Sequence, residues 1–240
     1  MAERRAAITT TMDTTDDPLR GEGLALVQLL TWLSPAFPVG AFALSHGLET
    51  AVREGRVRDG AATRDWIAAL LAHGSGWNDL VLFCAAYRAE AAGDRQAVRE
   101  VSDLALALAG SQSRRAETRD LGEAFRRAAA PWTGSPGPEP DEDAYPVAVA
   151  RLCAARAIPL GAALLAYAQG FASTLLSAAL RLVPLGQSAV TQAHHDLEAS
   201  VIEAARRAAT STLADLGSGA LVSELCALRH ETLQPRLFRS

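Results

Sequence analysis

Ser34-Pro35-Ala36-Phe37-Pro38-Val39-Gly40-Ala41-Phe42-Ala43-Leu44-Ser45-His46-Gly47-Leu48-Glu49-Thr50 divides an otherwise helical chain. Each proline fixes its own φ and removes a backbone donor, so no helix runs through Pro35 and Pro38. Each also pushes the residue before it, Ser34 or Phe37, towards extended geometry. Gly40 then offers a free backbone just ahead of Ala41-Phe42-Ala43-Leu44, which reads as helical. The segment is a rigid apolar elbow between two helices. In its plainest form it is an interhelical turn that packs Phe37 and Phe42 into the core.

Before the elbow, Leu24 to Leu33 is a short apolar helix. Residues 1–22 are rich in Thr, Asp and Gly and are expected to be disordered. Arg4 and Arg5 are followed by no apolar core, so no secretory signal is expected. After the elbow, Phe42 to Arg53 reads as a helix closed by Gly55. Asp59 can cap the next, with Trp66, Ile67, Leu70 and Leu71 on one face. Gly74-Ser75-Gly76 breaks it, and Asn78-Asp79 caps another carrying Leu80, Phe83, Cys84 and Tyr87. Gly93-Asp94 starts a helix to about Ala109, and Ser111 opens one carrying Arg114, Arg115, Glu117, Arg119 and Asp120. The mixed charges from Glu117 to Asp120 fit a solvated face. Pro131 to Asp143 is a proline- and glycine-rich loop.

Ile158 to Leu180 carries no charged residue. It is long enough to cross a bilayer. Ala162, Ala166, Gly170, Thr174 and Ala178 recur every four residues, a smooth groove for close helix packing in water or in lipid. Gln169 near the middle, and no second comparable span, favour a central buried helix over a membrane-associated protein with a span near 158–180. Arg181 to Gln187, with Pro184, forms a second proline elbow. A long helix from about Ser188 to Leu216, a break at Gly217-Ser218-Gly219 and a last helix from Ala220 to Ala227 follow. The tail, Arg229 to Ser240, is basic and aromatic. Pro235 blocks helix continuation there, so the tail is expected to order only against a partner.

The chain has 240 residues, 49% hydrophobic and only 5% aromatic. Alanine dominates, and no convincing strand alternation occurs. All 23 basic residues are arginine. Without lysine there is no Walker A loop and no Schiff-base chemistry. The net charge of −4 disfavours non-specific nucleic-acid binding. Cys84, Cys153 and Cys226 lie far apart among apolar residues and suggest neither disulfides nor a zinc site, as in a reducing, cytoplasmic setting. None of His46, His73, His194, His195 and His230 has a partner at i, i+4. Adjacent His194 and His195 diverge on a helix and cannot simply chelate one ion together, leaving at most a transient metal contact by one of them. Glu49 and Asp79 form an acid pair only if the fold joins them. The residues describe an all-α, single-domain multi-helix bundle with proline elbows, no sheet, no enzyme signature and no cofactor.

Three blocks, in order, carry a resemblance. The first is Ser34 to Val52, continued through Trp66 and Asp79. The second is Tyr145-Pro146-Val147 with Ser177 to Gln187. The third is Arg229-His230-Glu231-Thr232 with Arg236-Leu237-Phe238-Arg239-Ser240. Together they resemble the UreF urease accessory proteins over nearly the whole chain. Ser113-Arg114-Arg115, Val190-Thr191 and Gln234 depart from the family's usual residues. The resemblance implies a helical, homodimeric, non-enzymatic scaffold at residues 23–228, with a partner-binding tail at 229–240. Its expected partners are UreD (also called UreH), the GTPase UreG and apo-urease, with no nucleic acid and no membrane. UreF proteins support nickel insertion while the urease active-site lysine is carbamylated, and are thought to control when UreG hydrolyses GTP. The partner-binding residues implied are Glu49, Arg119, Arg181, Gln187, Arg229, His230, Glu231, Arg236, Leu237, Phe238 and Arg239.

Overall fold

Helix α1 runs over Glu22–Trp32 and α2 over Leu48–Arg53, with a 3-10 turn at Ala41–Ala43 between them. This is a computed structural model that describes residues 21–133 and 143–239. The expected disordered segment therefore lies almost wholly outside the described residues, as does most of the 131–143 loop. The helix expected from Phe42 starts six residues later. The reason is backbone: His46 and Gly47 both take positive φ, 49° and 76°, and no helix passes through a left-handed pair. Gly40 is also left-handed, at φ 81°.

Helix α3, Gly60–His73, is capped by Asp59, whose side chain accepts from Ala62 N at 2.8 Å. Helix α4, Ser75–Ala91, begins directly after Gly74. Asn78 and Asp79 are thus inside a helix and cap nothing. Asn78 Oδ1 instead accepts from Gly217 N at 3.0 Å. Asp94 caps α5, Arg95–Ala107, and Ser111 caps α6, Gln112–Ala128, each accepting the backbone N–H three residues on. These caps satisfy donors that a helix start leaves unpaired. A short α7, Ala130–Thr133, precedes α8, Tyr145–Ala155.

The charge-free stretch becomes α9, Leu160–Leu182. A second stretch, Gly60–Ala91, also meets the length and hydropathy of a span, contrary to the expectation that none exists. It is two helices joined at Gly74, and over half of both windows is buried within the protein, 61% and 56%. Such burial is what core helices show. The chain leaves α9 at Val183 and re-enters a helix as α10, Gln187–Ala208, shorter than expected, followed by a 3-10 turn at Leu213–Asp215. Helix α11, Leu221–His230, extends past Ala227 and takes Arg229 and His230 as its last turn.

No strand occurs among the described residues, so the chain is all-α. Helix α4 packs on α3, α5, α8 and α9, while α10 covers α9 and α3. The main core includes Trp32, Phe37, Phe83, Phe125 and Tyr167. A smaller cluster joins Leu48, Ala51 and Val57 to Ala178, Ala179 and Val183, with Cys226 and Phe238. Phe42, by contrast, is 69% exposed.

Candidate functional site

Glu49 lies on α2 and is 0% exposed. An isolated carboxylate there would be very costly, so its oxygens need donors. They come from the far end of the chain. Leu237 N and Phe238 N donate at 2.9 and 3.0 Å, and His230 Nε2 lies 3.0 Å away. Arg53 adds a contact at 2.9 Å and also donates to Pro235 O. Burial pushes the Glu49 carboxyl up. The His230 bond and the two tail amides outweigh it and hold the carboxyl below its ordinary value.

The rest of the tail closes on the same place. The Phe238 ring is 3% exposed and fills the smaller core cluster. The Arg181 guanidinium stacks on it, 4.3 Å from the centroid, and donates to Phe42 O. Arg239 N donates to Ala43 O at 2.8 Å. Gly47 lets α11 come close, because a Cβ there would meet Ala227 N at 2.8 Å. The tail is therefore folded onto its own chain. The expectation that it orders only against a partner is corrected: Glu49, Ala43 O, Arg181 and the cluster under Phe238 hold it from within.

This leaves a surface at the elbow. Phe42 is 69% and Leu237 73% exposed, on the two segments that the Arg239–Ala43 bond joins. Arg53 and Arg181, which bond these segments, and Arg236 and Arg239 on the tail are exposed as well. Arg229 pairs with Glu54 at 2.8 Å, and Glu54 also holds Arg56. Glu231 reaches the start of α6, accepting from Ser113 N at 3.1 Å. Arg119 is exposed on α6 beside Asp120, and Gln187 opens α10. The sequence reading did not single out Arg53, whose role depends on a contact 182 residues away.

A second polar group lies behind the elbow. Glu117 is 6% exposed rather than solvated. Arg114 pairs with it, and His46 Nε2 sits 3.3 Å from its oxygen. Burial, then the Arg114 charge, pushes the His46 pKa well below its usual value, so the ring is neutral. Asp79 accepts from Tyr167 Oη at 3.1 Å. Burial raises its carboxyl against the pull of Arg114 and Tyr167. Glu49 and Asp79 thus have separate partners and do not form an acid pair. Cavities of about 90 and 310 Å³ meet this group from two sides. Among the described residues no cluster of His, Cys, Asp and Glu could hold a metal, and all three cysteines are buried and free.

The sequence comparisons agree with this architecture. The family model described as UreF matches residues 57–198. The "Urease accessory protein UreF" of Mesorhizobium japonicum is 48% identical over 231 residues, 94% of this chain and 100% of that protein. The "Urease accessory protein UreF 1" of Brucella anthropi is 46% identical over 234 residues, covering 97% and 98%. That of Brucella suis biovar 1 is 44% identical over 227 residues, covering 94% and 97%. With matches of this extent in length and identity, the chain belongs to the UreF family of urease accessory proteins.

Proposed function

We propose that the chain is an adaptor of urease maturation that binds UreD, recruits and regulates the GTPase UreG, and supports nickel insertion into apo-urease. Family membership places it in urease maturation. The docking role rests on one observation above the rest: where the tail bonds the elbow, Phe42 and Leu237 stay exposed, and Arg53 and Arg181 bond the same two segments. Exposed apolar anchors within a polar rim are the usual anatomy of a protein interface, and arginine and aromatic side chains are enriched at its hot spots.

The adaptor is not an enzyme and acts in the cytoplasm. The absence of lysine puts the nucleotide site on the partner. It works as a homodimer. Leu24, Val27 and Leu30 on α1, and Leu221, Leu225 and Leu228 on α11, leave exposed apolar surface for a second copy. Arg119 and Gln187 serve further partner contacts.

A pull-down with UreD and UreG, followed by urease activity in a deletion strain, tests the proposal. Copurification with UreD and restored urease activity are expected. Failure of both would remove the adaptor reading. Titration with mant-GTP tests the scaffold role separately, and no saturable micromolar binding to the isolated chain is expected.

A further inference from the structure

We infer that the tail–elbow face takes a carboxylate-rich protein surface, a partner chemistry opposite to that of the chain as a whole. The inference rests on the adaptor reading and specifies what the docked partner must present. The chain carries a net charge of −4. Yet around the junction Arg53, Arg56, Arg181, Arg229, Arg236 and Arg239 outnumber the carboxylates Glu49, Glu54 and Glu231.

Those acids are already engaged. Glu49 is buried under the tail, Glu54 is shared by Arg56 and Arg229, and Glu231 turns to Ser113 N. No carboxylate pairs with Arg181, Arg236 or Arg239 among the described residues. Two of the arginines are also held in place. Arg181 is fixed by Phe42 O and the Phe238 ring, and Arg53 by Glu49 and Pro235 O.

A planar guanidinium fixed this way suits the fork geometry of a carboxylate. Two exposed apolar side chains on the same segments, Phe42 and Leu237, require apolar area from the partner as well. That combination favours a protein over a nucleic acid, whose backbone offers phosphates and little apolar surface. The surrounding negative charge of the chain repels acidic partners elsewhere, so the face also sets orientation.

The full chain is mixed with UreD by stopped flow at ionic strengths from roughly 50 to 500 mM, where screening lengths shorten across the size of the face. The same salt series is run against poly-L-glutamate and a random DNA duplex. Association with UreD should slow by about tenfold or more across the series, as steered encounters do. Arg236→Glu with Arg239→Glu should slow low-salt association and flatten its salt dependence, at unchanged helical content. The milder Arg236→Gln, Arg239→Gln pair should give part of that effect. Poly-L-glutamate should bind the native chain at low salt and not the reversed variant. UreD binding that ignores salt and both arginine pairs overturns the inference and leaves the adaptor role standing. Absence of UreD binding removes the adaptor role, and poly-L-glutamate then decides the inference alone. Tighter binding to the duplex than to poly-L-glutamate overturns it in favour of nucleic acid.

Discussion

Two buried carboxylates, Glu49 and Glu117, solve the same problem in different ways. Glu117 takes its cation from Arg114, one turn back on its own helix, and meets His46 across a short gap. That pairing comes with α6. Glu49 also has a local arginine, Arg53, one turn on, but its other donors lie 181 to 189 residues away, on α11 and the tail. The first site is a local pair inside a helix-packing face. The second makes the folding of the last residues a condition for burying an acid near the start. The tail is then part of the core on one side, and on the other it leaves Arg236 and Leu237 exposed.

The largest expected effect comes from cutting the second site apart. Removing residues 231–240 strips Glu49 of both tail amides and takes Phe238 from its cluster. The deletion also uncovers Glu49, so the loss is set mainly by the buried Phe238 ring, about 3–5 kcal/mol for an aromatic taken out of a core. Urea denaturation should show a midpoint shift of that size, together with loss of UreD binding. A truncated chain as stable as the native one would show that Glu49 finds replacement donors.

Phe238→Ala tests the packing half alone. The ring is nearly fully buried, and Phe→Ala in a core costs about 3–5 kcal/mol. Because Arg181 sits on the ring, its placement should loosen too. A change under about 1 kcal/mol would mean the smaller cluster collapses to fill the space.

At the first site, Glu117→Gln should cost less, about 1–3 kcal/mol, the usual loss for a buried partner left unsatisfied. It should leave UreD binding at the tail face unchanged. Weakened binding there would show that the two acids are coupled through His46.

Acidity separates the sites in another way. The Glu49 carboxyl titrates lower in the folded protein than its ordinary value of 4.5. A depressed carboxyl adds stability that is full above the unfolded value and is lost as pH falls through the folded one. The stability gap between the native chain and the 231–240 deletion should therefore hold above pH 4.5 and narrow below it. A gap that stays unchanged well below pH 4.5 would contradict this linkage.

The smallest effect lies at the elbow. Gly40 has left-handed φ but open space where a Cβ would go. Gly40→Val should cost only its backbone strain, about 1–2 kcal/mol. A melting temperature equal to the native one would remove the positive-φ requirement.

The helical class was legible because its signals are local. Asp59, Asp94 and Ser111 announce helix starts within three residues, and the charge-free run to Leu180 announces a core helix. The helix start placed at Phe42 was misread because His46 gives no hint of its left-handed backbone. Asn78-Asp79 was misread because a single Gly74 suffices to turn the chain. The tail was legible as basic and aromatic, with Arg236 and Leu237 left at the surface. Its docking was not legible, since nothing near Glu49 says that its donors arrive from residues 230, 237 and 238.

The central claim is that the tail is held from within by Glu49 while its outer side chains meet the partner. Arg236→Ala with Leu237→Ala changes only exposed side chains and keeps both amides that bond Glu49. Calorimetric titration of UreD with this variant, beside its thermal melt, tests the claim most directly. The account predicts a melt within about 2 °C of native and affinity lower by roughly tenfold or more, since an interface anchor contributes over about 1 kcal/mol. Native affinity at native stability would contradict it.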